Sequence, residues 1–416
     1  MKNRCLKSSM VKVVGFIRFF KRIAYFYPFN IEIGINFMEI FTIVLKLTFY
    51  WAAAVQFFFW LFVFSRLALF NQKKHLGLKS SDTIPASQQA VSVIICARNE
   101  AQNLRKNLPK ILEQDYPNFE VVVVNDVSAD DSLEVLIELS QQYPHLNIVS
   151  ILEKKRIGKK GALAEGIDHA KHDWLLMTDA DCTPLSKNWI SGMMSGISEG
   201  KEMVLGYAPY AKRDRSLLNK FIRFETVWTA TQYLSFALIG QPYMGVGRNL
   251  LYNKNLYKKA NGFSKHADLA SGDDDLFVNQ VITQKNFSII LLPQTFMVSE
   301  PKTRWNSYFT QKNRHLSVGN RYMIKHQILL GLVSASHFLF FVTLFLATYV
   351  KISTMFAVAN IVVRTILIWT VYAKILRKLH EERLLWWIPL LDVLYVFFYF
   401  VFASTIILRT TPRKWQ

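Results

Sequence analysis

The sequence has few cysteines, and they follow no pattern. Cys5, Cys96 and Cys182 show neither paired spacing nor the spacing of a metal finger. This excludes a disulfide framework and is typical of a protein in a reducing compartment. Cys96 and Cys182 lie in apolar, strand-like surroundings, where a free cysteine behaves as a small hydrophobic residue. The sequence also has no internal repeat and no low-complexity tract.

Charged residues are scarce as well, at 19% of the chain against 51% hydrophobic residues. This mixture predicts a soluble domain joined to membrane spans. The net charge of +20 raises the question of nucleic acid binding. However, much of the excess lies beside apolar runs, in the first 25 residues, at 374–383 and in the C-terminal tail. Such residues flank spans on the cytoplasmic side and attract anionic lipids, so we expect membrane lipids and no nucleic acid as partners.

Four apolar runs are long enough to cross a membrane. The run at 43–66 predicts a first transmembrane helix, and we favour it over a signal peptide because it has no small-residue cleavage site. The runs at 328–350, 353–373 and 384–408 predict three more. Arg364 lies inside the third run and is expected to face other helices or a polar cavity, because a charge facing lipid is costly.

The basic loops predict an orientation. The loop at 374–383 is expected to be cytoplasmic, which places the soluble block in the cytoplasm too. The basic tail at 409–416 would then face outward, and the sequence leaves this conflict open. Met38 is a more natural start than Met1, so we interpret residues 1–37 as a basic N-terminal extension produced by an over-called start.

The soluble block at 91–326 follows a polar linker at 71–90. Apolar, strand-like runs alternate in it with helix-like segments, which predicts βαβ units and a mostly parallel sheet. The segment at 305–325 mixes aromatic and basic residues and predicts an interfacial helix at the end of the domain. The first alternating segments are 91–96, 100–114, 121–124, 131–142 and 147–152.

Asp179 and Asp181 follow the buried strand predicted at 174–177. Strand side chains two positions apart share one face, so both carboxylates can point to the same ligand. Such a pair can hold a hard divalent cation, Mg²⁺ or Mn²⁺, against a diphosphate. An isolated Asp-x-Asp also fits a solvated turn, so this prediction depends on the neighbouring motifs.

Polar motifs end the neighbouring strands. Ala-Arg-Asn-Glu at 97–100 and Asn-Asp-Val-Ser-Ala-Asp-Asp at 125–131 are expected at the edge of the sheet where open α/β folds bind ligands. Asn99 and Asp131 also fit helix N-caps. Gly-Lys-Lys-Gly-Ala-Leu at 158–163 allows close approach of the backbone to a phosphate and supplies positive charge, but it lacks the P-loop spacing.

In this order, the motifs resemble those of the family 2 inverting glycosyltransferases with the GT-A fold. Gly-Asp-Asp-Asp-Leu at 272–276 is similar to the family's acidic segment with the general base, and Gln-Lys-Asn-Arg-His at 311–315 to its Gln-x-x-Arg-Trp motif. The flanking spans resemble the membrane-bound bacterial polysaccharide and glycolipid synthases. The resemblance implies an α/β fold: a Rossmann-like, mostly parallel GT-A domain in the cytosol, with one N-terminal and three C-terminal transmembrane helices at the inner cell membrane.

The resemblance also implies roles for the matching residues. Asp274 would be the general base that deprotonates the acceptor hydroxyl, with Asp273 beside it. Asp179 and Asp181 would bind Mg²⁺ or Mn²⁺, with Asp181 the more direct ligand. The acceptor region would include Gly247, Trp305 and His315. The residues implied in binding the nucleotide sugar are Arg98, Glu100, Asp126, Lys159, Asp179, Gln311 and Arg314.

Three positions depart from the family pattern. Asn125 stands where an aspartate is usual and Asp273 where a glutamate is commoner, and both changes are mild. His315 replaces a tryptophan that helps processive polysaccharide synthases hold the acceptor sugar by stacking, so processivity is in doubt. Trp305 and Tyr308 are candidates to supply the missing aromatic face.

These observations predict an inverting glycosyltransferase at the cytoplasmic membrane face. The donor would be a nucleotide sugar, with UDP as the nucleotide, and the acceptor a lipid-linked molecule or a glycan. A processive synthase that exports its polymer is the alternative within enzymes. The alternative outside enzymes is a non-catalytic membrane scaffold that binds a nucleotide sugar, which the presence of the metal and base carboxylates disfavours.

Overall fold

The structure is a computed structural model that describes residues 37–79, 88–153, 158–269, 271–347 and 354–407. The chain divides into two compact units, Met1–Leu47 and Thr48–Gln416. In the first unit only the beginning of one helix is described. Nearly all of the predicted extension at 1–37, residues 80–87 of the predicted linker and the tail at 409–416 lie outside the described residues.

Strands and helices alternate through the middle of the chain. Within the described residues the strands are β1 (Val91–Ala97), β2 (Phe119–Asp126), β3 (Leu146–Ile151), β4 (Trp174–Asp179), β5 (Cys182–Pro184), β6 (Met203–Leu205), β7 (Leu250–Asn253), β8 (Phe287–Ile289) and β9 (Met297–Ser299). In the same ranges the α-helices are α1 (Phe37–Phe58), α2 (Ser65–Ala68), α3 (Gln72–His75), α4 (Ala101–Leu112), α5 (Ser132–Gln142), α6 (Lys160–His169), α7 (Trp189–Met194), α8 (Leu217–Leu238), α9 (Lys254–Lys259), α10 (Asp275–Val281), α11 (Trp305–Leu316), α12 (Ile324–Ala347), α13 (Thr354–Lys378) and α14 (Ile388–Ile407). A π-helical segment, Phe59–Phe64, joins α1 to α2, and short 3₁₀ segments lie at Ser264–His266, Pro293–Thr295, Gly319–Arg321 and Glu382–Trp387.

Seven strands form one mixed sheet in the order β3-β2-β1-β4-β7-β6-β8. Strands β1 to β4 are parallel, as is the β6–β8 pair, and β7 runs antiparallel to both of its neighbours. The predicted mostly parallel sheet is confirmed. The reversal at β7 was not predictable, because its apolar residues resemble those of any strand buried on both faces. Strands β5 and β9 form a separate antiparallel pair.

The register of the sheet brings the motif-bearing strand ends together. Ala97 at the end of β1 pairs with Asn125 of β2, and Cys96 pairs with Asp179 of β4. The runs of Val and Ile that precede these ends are buried on both faces of the sheet, as expected for a central parallel strand. The carboxyl ends of three adjacent strands therefore form one edge.

Helix α8 connects the sheet to the apolar helices. Its Trp228 stacks on Trp60 with ring centroids 5.9 Å apart, and Trp60 lies 4.9 Å from the ring of Tyr372 on α13. Arg223 of α8 forms a buried ion pair with Glu381, whose Oε2 lies 3.0 Å from the arginine Nε. One continuous core therefore extends from the sheet into the helices.

Four helices in the described ranges are long and apolar enough to cross a membrane. They are Met38–Ala68, Ile324–Ala347, Ala357–Lys378 and Glu382–Phe402. This confirms one N-terminal and three C-terminal apolar helices and indicates a membrane-associated protein. The bounds differ from the predicted runs by several residues, because the helices continue into polar ends that hydropathy does not include.

Arg364 faces other helices, as predicted. Its side chain is buried, with Nη1 2.6 Å from Asp392 Oδ2 and Nη2 donating to Gln56 Oε1 at 3.0 Å. His337 Nε2 lies 3.0 Å from the other oxygen of Asp392, and Gln56 donates to Ser336 Oγ at 2.9 Å. The five side chains come from all four apolar helices and form one buried polar network.

Two predicted segments differ from the structure. The beginning of the predicted linker at 71–90 is ordered: Asn71 caps α3 by accepting from Lys74 N, and Gln72 donates to Ile289 O on β8 at 2.8 Å. The predicted interfacial helix at 305–325 ends at Leu316, because Gly319 and Asn320 disfavour continuation. Lys325 already belongs to α12.

Candidate active site

A cavity of about 980 Å³ opens at the shared edge of β1 and β4. It extends from the acidic residues after β4 past α8 and α11 to α12 and α14. The predicted site residues that line it are Arg98, Glu100, Lys159, Asp179, Asp181, Gly247, Asp273, Asp274, Gln311, Arg314 and His315.

Asp126 and Trp305 do not line this cavity. Asp126 is buried and borders a second cavity of about 570 Å³, together with Ser150, Gly161 and Glu165. Lys159, the residue before α6, lines the main cavity, so the beginning of α6 borders both cavities. Trp305 is 42% exposed and packs on Phe309 with ring centroids 5.8 Å apart. Tyr308 is buried and does not line the cavity either, so neither residue supplies an aromatic face there.

Asp179 and Asp181 lie together at the end of β4. One ligand atom from each, together with Cys182 Sγ, falls within 4.8 Å of the others. Burial and the two carboxylates raise the pKa of the Cys182 thiol well above its usual value, so the thiol stays protonated. Its Sγ lies 3.0 Å from Ser299 Oγ. The carboxylates are therefore the available anionic donors in this group.

Lys159 distinguishes the two aspartates. Its ammonium forms an ion pair with Asp179 and lies 3.9 Å from Asp273 Oδ2. Although burial opposes the shift, Lys159 lowers the pKa of Asp179. Burial, followed by the charge of Asp179, raises the pKa of Asp181 instead. Asp179 is thus partly neutralised by a lysine, whereas Asp181 faces the cavity without an ion pair to Lys159.

Asp274 is held by two main-chain donors. Its Oδ2 accepts from Gly247 N at 2.7 Å and its Oδ1 from Asp275 N at 2.8 Å. Burial, followed by the charge of Asp273, raises the pKa of Asp274 to about 6. A carboxyl group with such a pKa is ionised at neutral pH and can still accept a proton readily. Gly272, with φ +95°, provides the turn that presents this segment.

Asp275 lies on the side of the carboxylate cluster that faces α12. Tyr322, which precedes that helix, donates its hydroxyl to Asp275 Oδ2 at 2.7 Å. Burial, followed by the charge of Asp274, raises the pKa of Asp275 to about 7. Asp275 therefore links the acidic segment to the beginning of an apolar helix.

Arg248 is a cavity residue that was not among the predicted site residues. It donates to Ser299 Oγ at 2.7 Å, and its guanidinium lies 4.4 Å over the ring of Tyr210. Its charge acts on both Asp179 and Asp181. The glycine-rich sequence at 245–249 was the available signal, but a glycine-rich turn explains that pattern equally well.

The first two strand-end loops support each other. Asn99 Oδ1 accepts from Ala129 N at 2.8 Å, and Asp130 Oδ2 accepts from Ala101 N at 3.1 Å. Asn99 therefore spans two loops instead of capping its own helix. Val127 has φ +54°, a conformation that strains a β-branched residue and persists only where its surroundings hold it.

Helix α11 contributes the residues of the Gln-Lys-Asn-Arg-His motif. Gln311 and Arg314 line the cavity, and Lys312 forms an ion pair with Glu225 of α8 at 2.6 Å. His315 is exposed to the cavity. The surrounding protein and the charges of Lys312 and Arg314 lower its pKa well below the usual value. His315 is therefore neutral at physiological pH.

Comparison with known proteins agrees with this geometry. The sequence profile described as Glycosyl transferase family 2 matches residues 92–260. The chain carries a family 2 glycosyltransferase domain. The profile covers β1 to β7 and includes Lys159, Asp179, Asp181 and Gly247, whereas the acidic segment at 272–276 and helix α11 lie beyond the match.

The glycosyltransferase domain has similar sequences in curated proteins. Over 244 residues the chain is 25% identical to the probable glycosyltransferase YdaM of Bacillus subtilis, covering 56% of each protein. Over 143 residues it is 29% identical to a 4,4'-diaponeurosporenoate glycosyltransferase of Staphylococcus aureus, covering 34% of this chain and 36% of the relative. The chain thus spans about half or less of the length of these relatives.

A solved structure shows the same fold. The mannosyltransferase PcManGT of Pyrobaculum calidifontis superposes with a TM-score of 0.51 over 86% of this chain and 99% of the other, at 18% identity. The glycosyltransferase domain is thus a mostly parallel, mixed α/β domain of the GT-A type, joined to one N-terminal and three C-terminal apolar helices.

Proposed function

We propose that the protein is an inverting, membrane-bound glycosyltransferase. It transfers a sugar from a nucleotide donor, with UDP as the nucleotide, to the hydroxyl group of a lipid-linked or glycan acceptor at the cytoplasmic face of the inner membrane. The observation that carries this proposal is the position of two acidic groups in one cavity. Asp179 and Asp181 lie at the end of β4 beside Lys159, and Asp274 lies in the acidic segment before α10, where the main-chain N–H of Gly247 donates to it.

The donor's diphosphate belongs at Asp179 and Asp181. Two carboxylates with a protonated thiol beside them fit a hard, oxygen-preferring cation such as Mg²⁺ or Mn²⁺. When bound, such a cation neutralises charge that develops on the leaving diphosphate. PcManGT, whose structure was solved with GDP-mannose and Mn²⁺, supports a nucleotide sugar and a divalent metal. Asp181 is the more direct ligand, since Lys159 already pairs with Asp179.

Cationic side chains stabilise the leaving group in this proposal. Lys159, Arg248 and Arg314 line the cavity, and the charges of all three act on Asp179. Fixed positive charges at the site of developing negative charge stabilise the transition state without reorganisation. Gln311 and Arg314, on the same face of α11, close over the diphosphate and the acceptor.

The nucleoside belongs on the β1–β2 side. Arg98 and Glu100 line the main cavity with the aspartates, and Asp126 borders the second cavity with the beginning of α6. Burial raises the pKa of Glu100, and Asn103 donates to its carboxylate. A nucleoside that extends from the first cavity toward the second would meet all three side chains.

Asp274 is the general base. It takes the proton of the acceptor hydroxyl as the oxygen attacks the anomeric carbon, and the bond to the diphosphate breaks in the same displacement. The hydrogen bonds from Gly247 and Asp275 orient both oxygens of the base. Attack on the face opposite the leaving group inverts the anomeric centre. Asp273, 3.9 Å from Lys159, raises the proton affinity of the base.

The direct test is a screen of radiolabelled UDP- and GDP-sugars with the full chain in lipid vesicles containing Mn²⁺. We expect one donor to yield labelled product with inverted anomeric configuration, and Asp274→Asn to abolish transfer while nucleotide binding remains. Retained turnover in Asp274→Asn would remove this residue from the base role. Nucleotide binding without turnover in the wild type would favour a membrane scaffold.

The length of the product separates single transfer from processive synthesis. Because His315 replaces the stacking tryptophan and neither Trp305 nor Tyr308 lines the cavity, we expect one or few sugars per acceptor. Long polymer from the same vesicles would establish the processive alternative.

A further inference from the structure

The active-site cavity continues beyond the polar residues and runs between two candidate membrane spans. Leu330, Gly331 and Ser334 line it from α12, and Tyr395, Phe398 and Tyr399 line it from α14. In each set, two adjacent residues lie three and four positions from the third, so the three side chains share one face of the helix. The two faces form the walls of a cleft that opens into the site of Asp274.

The cleft lies within the length of a candidate membrane span. Ser334 lies ten residues beyond Ile324, the first residue of its span, which corresponds to about 15 Å along an α-helix. The hydrocarbon core of a bilayer is about 30 Å thick, so a span that enters the core at Ile324 would carry the cleft roughly halfway into it. A Cβ atom added at Gly331 would meet no atom within 4 Å, so this wall is open and not packed against a neighbour.

The polarity of the lining changes along the cavity. The cavity wall also carries neutral polar side chains from α8 and the beginning of α12: Thr226, Thr229, Gln232 and Gln327. Two cations of α11 also line the cavity: the ammonium of Lys312 is paired with the buried Glu225, and Arg314 is assigned to the diphosphate in the proposed function. Farther in, Leu330, Gly331 and Phe398 line the cleft together with the hydroxyl-bearing Ser334, Tyr395 and Tyr399. Hydroxyl and amide groups followed by an uncharged cleft of mostly aliphatic and aromatic side chains match an amphiphile with an uncharged, hydroxylated headgroup and a hydrocarbon chain.

We propose that the acceptor is a membrane amphiphile of this kind, with its chain between α12 and α14 and its hydroxyl group at Asp274. This inference rests on the proposed function and narrows its acceptor class. In the transfer, the hydroxyl oxygen forms a bond to the anomeric carbon, its proton passes to Asp274, and the nucleoside diphosphate leaves with the electrons of the broken bond. The cleft between the two helices carries this inference.

The experiment is photocrosslinking of the full chain in vesicles of phosphatidylethanolamine and phosphatidylglycerol. The probe is dodecyl glucoside with a diazirine in the alkyl chain, and the labelled residues are located by mass spectrometry. We expect labelling at 330–334 and 395–399 that competes with unlabelled dodecyl glucoside but not with glucose or dodecyl phosphate. Gly331→Trp should reduce this labelling by about tenfold or more, because an indole fills the open space beside the backbone.

Ile328→Trp is the matched control, because Ile328 lies on the same helix, is 57% exposed and does not line the cavity. Its labelling should equal that of the wild type. Mn²⁺-dependent nucleotide binding by the same preparations shows whether each variant is folded. If Gly331→Trp loses this binding, Ser334→Trp is used in its place.

Two results would overturn the inference: unchanged labelling of the cleft in the tryptophan variants, or labelling confined to outer helix faces. If dodecyl phosphate competes with the probe as well as dodecyl glucoside does, the inference of an uncharged headgroup is overturned. Failure of the proposed function can be distinguished from failure of this inference. The first would appear as absent nucleotide binding in the wild type, whereas the second is decided by the labelling pattern alone.

Discussion

Asp274 accepts a hydrogen bond of 2.7 Å from the main-chain N–H of Gly247. The contact joins the segment before β7 to the acidic segment before α10, which are distant in sequence. A Cβ atom added at Gly247 would lie 3.0 Å from Asp274 Cβ and 3.1 Å from its Oδ2. The absence of a side chain at Gly247 therefore allows the carboxylate to reach this position.

Gly247→Ala should displace the proposed base. We expect kcat to fall roughly 10- to 100-fold, because small displacements of a reacting group have effects of this size. The KM for the donor should stay unchanged, since the proposed donor site is at Asp179 and Asp181. Gly319→Ala is the matched control, as its added Cβ meets no atom within 4 Å. Equal kcat values for both variants would contradict a positioning role for Gly247.

The pH profile should report Asp274. Its pKa is raised to about 6 and a base must be ionised to act, so kcat/KM should fall as the pH falls through about 6 and level off above it. Asp273→Asn removes a negative charge that favours the protonated form, so the acid limb should move to lower pH. Asp268→Asn, which alters an exposed pair with Arg321, should leave the limb in place. If the acid limb does not move in Asp273→Asn, the limb reports the ionisation of a group other than Asp274.

Metal-dependent nucleotide binding should depend on Asp181. We expect Asp181→Asn to weaken calorimetric binding of the nucleotide in Mn²⁺ by about tenfold or more, because a neutral amide is a poor ligand for a hard cation. Binding without metal should stay the same. Asp168→Asn on the exposed face of α6 tests for a general effect of lost charge. Unchanged affinity of Asp181→Asn in Mn²⁺ would exclude Asp181 as a ligand.

The parts of the site that were predictable depend on short stretches of sequence. The apolar run at 174–177 places Asp179 and Asp181 at a strand end, and the same reasoning places Arg98 and Glu100 after β1. Parallel strands share a carboxyl edge, so their proximity follows from the strand pattern alone. Local pattern and layer geometry are sufficient for this half of the cavity.

The other half depends on contacts between distant segments. Ser334 and Tyr399 meet across two helices whose apolar patterns reveal no preferred partner. Asp126 is the last residue of β2, and it borders the second cavity with the beginning of α6 and does not line the main cavity. Trp305 belongs to a helix whose aromatic face packs on α8 and α14 and not toward the cavity. Packing between helices, which the sequence does not specify locally, decides each of these positions.

The same limit applies to Arg364, whose interior position was predictable although its partner was not. Replacing Asp392 by leucine leaves the guanidinium buried without its carboxylate, and loss of one partner of a buried pair costs about 3–5 kcal/mol. We expect Asp392→Leu and Arg364→Met each to lower the free energy of unfolding strongly. The measurement is the unfolding of each variant in detergent, monitored by tryptophan fluorescence. The double variant should recover much of that loss, because it leaves neither charge unpaired. Phe397→Ala, on the exposed face of α14, should have a small effect. Additive losses in the double variant would show that the two charges are not coupled.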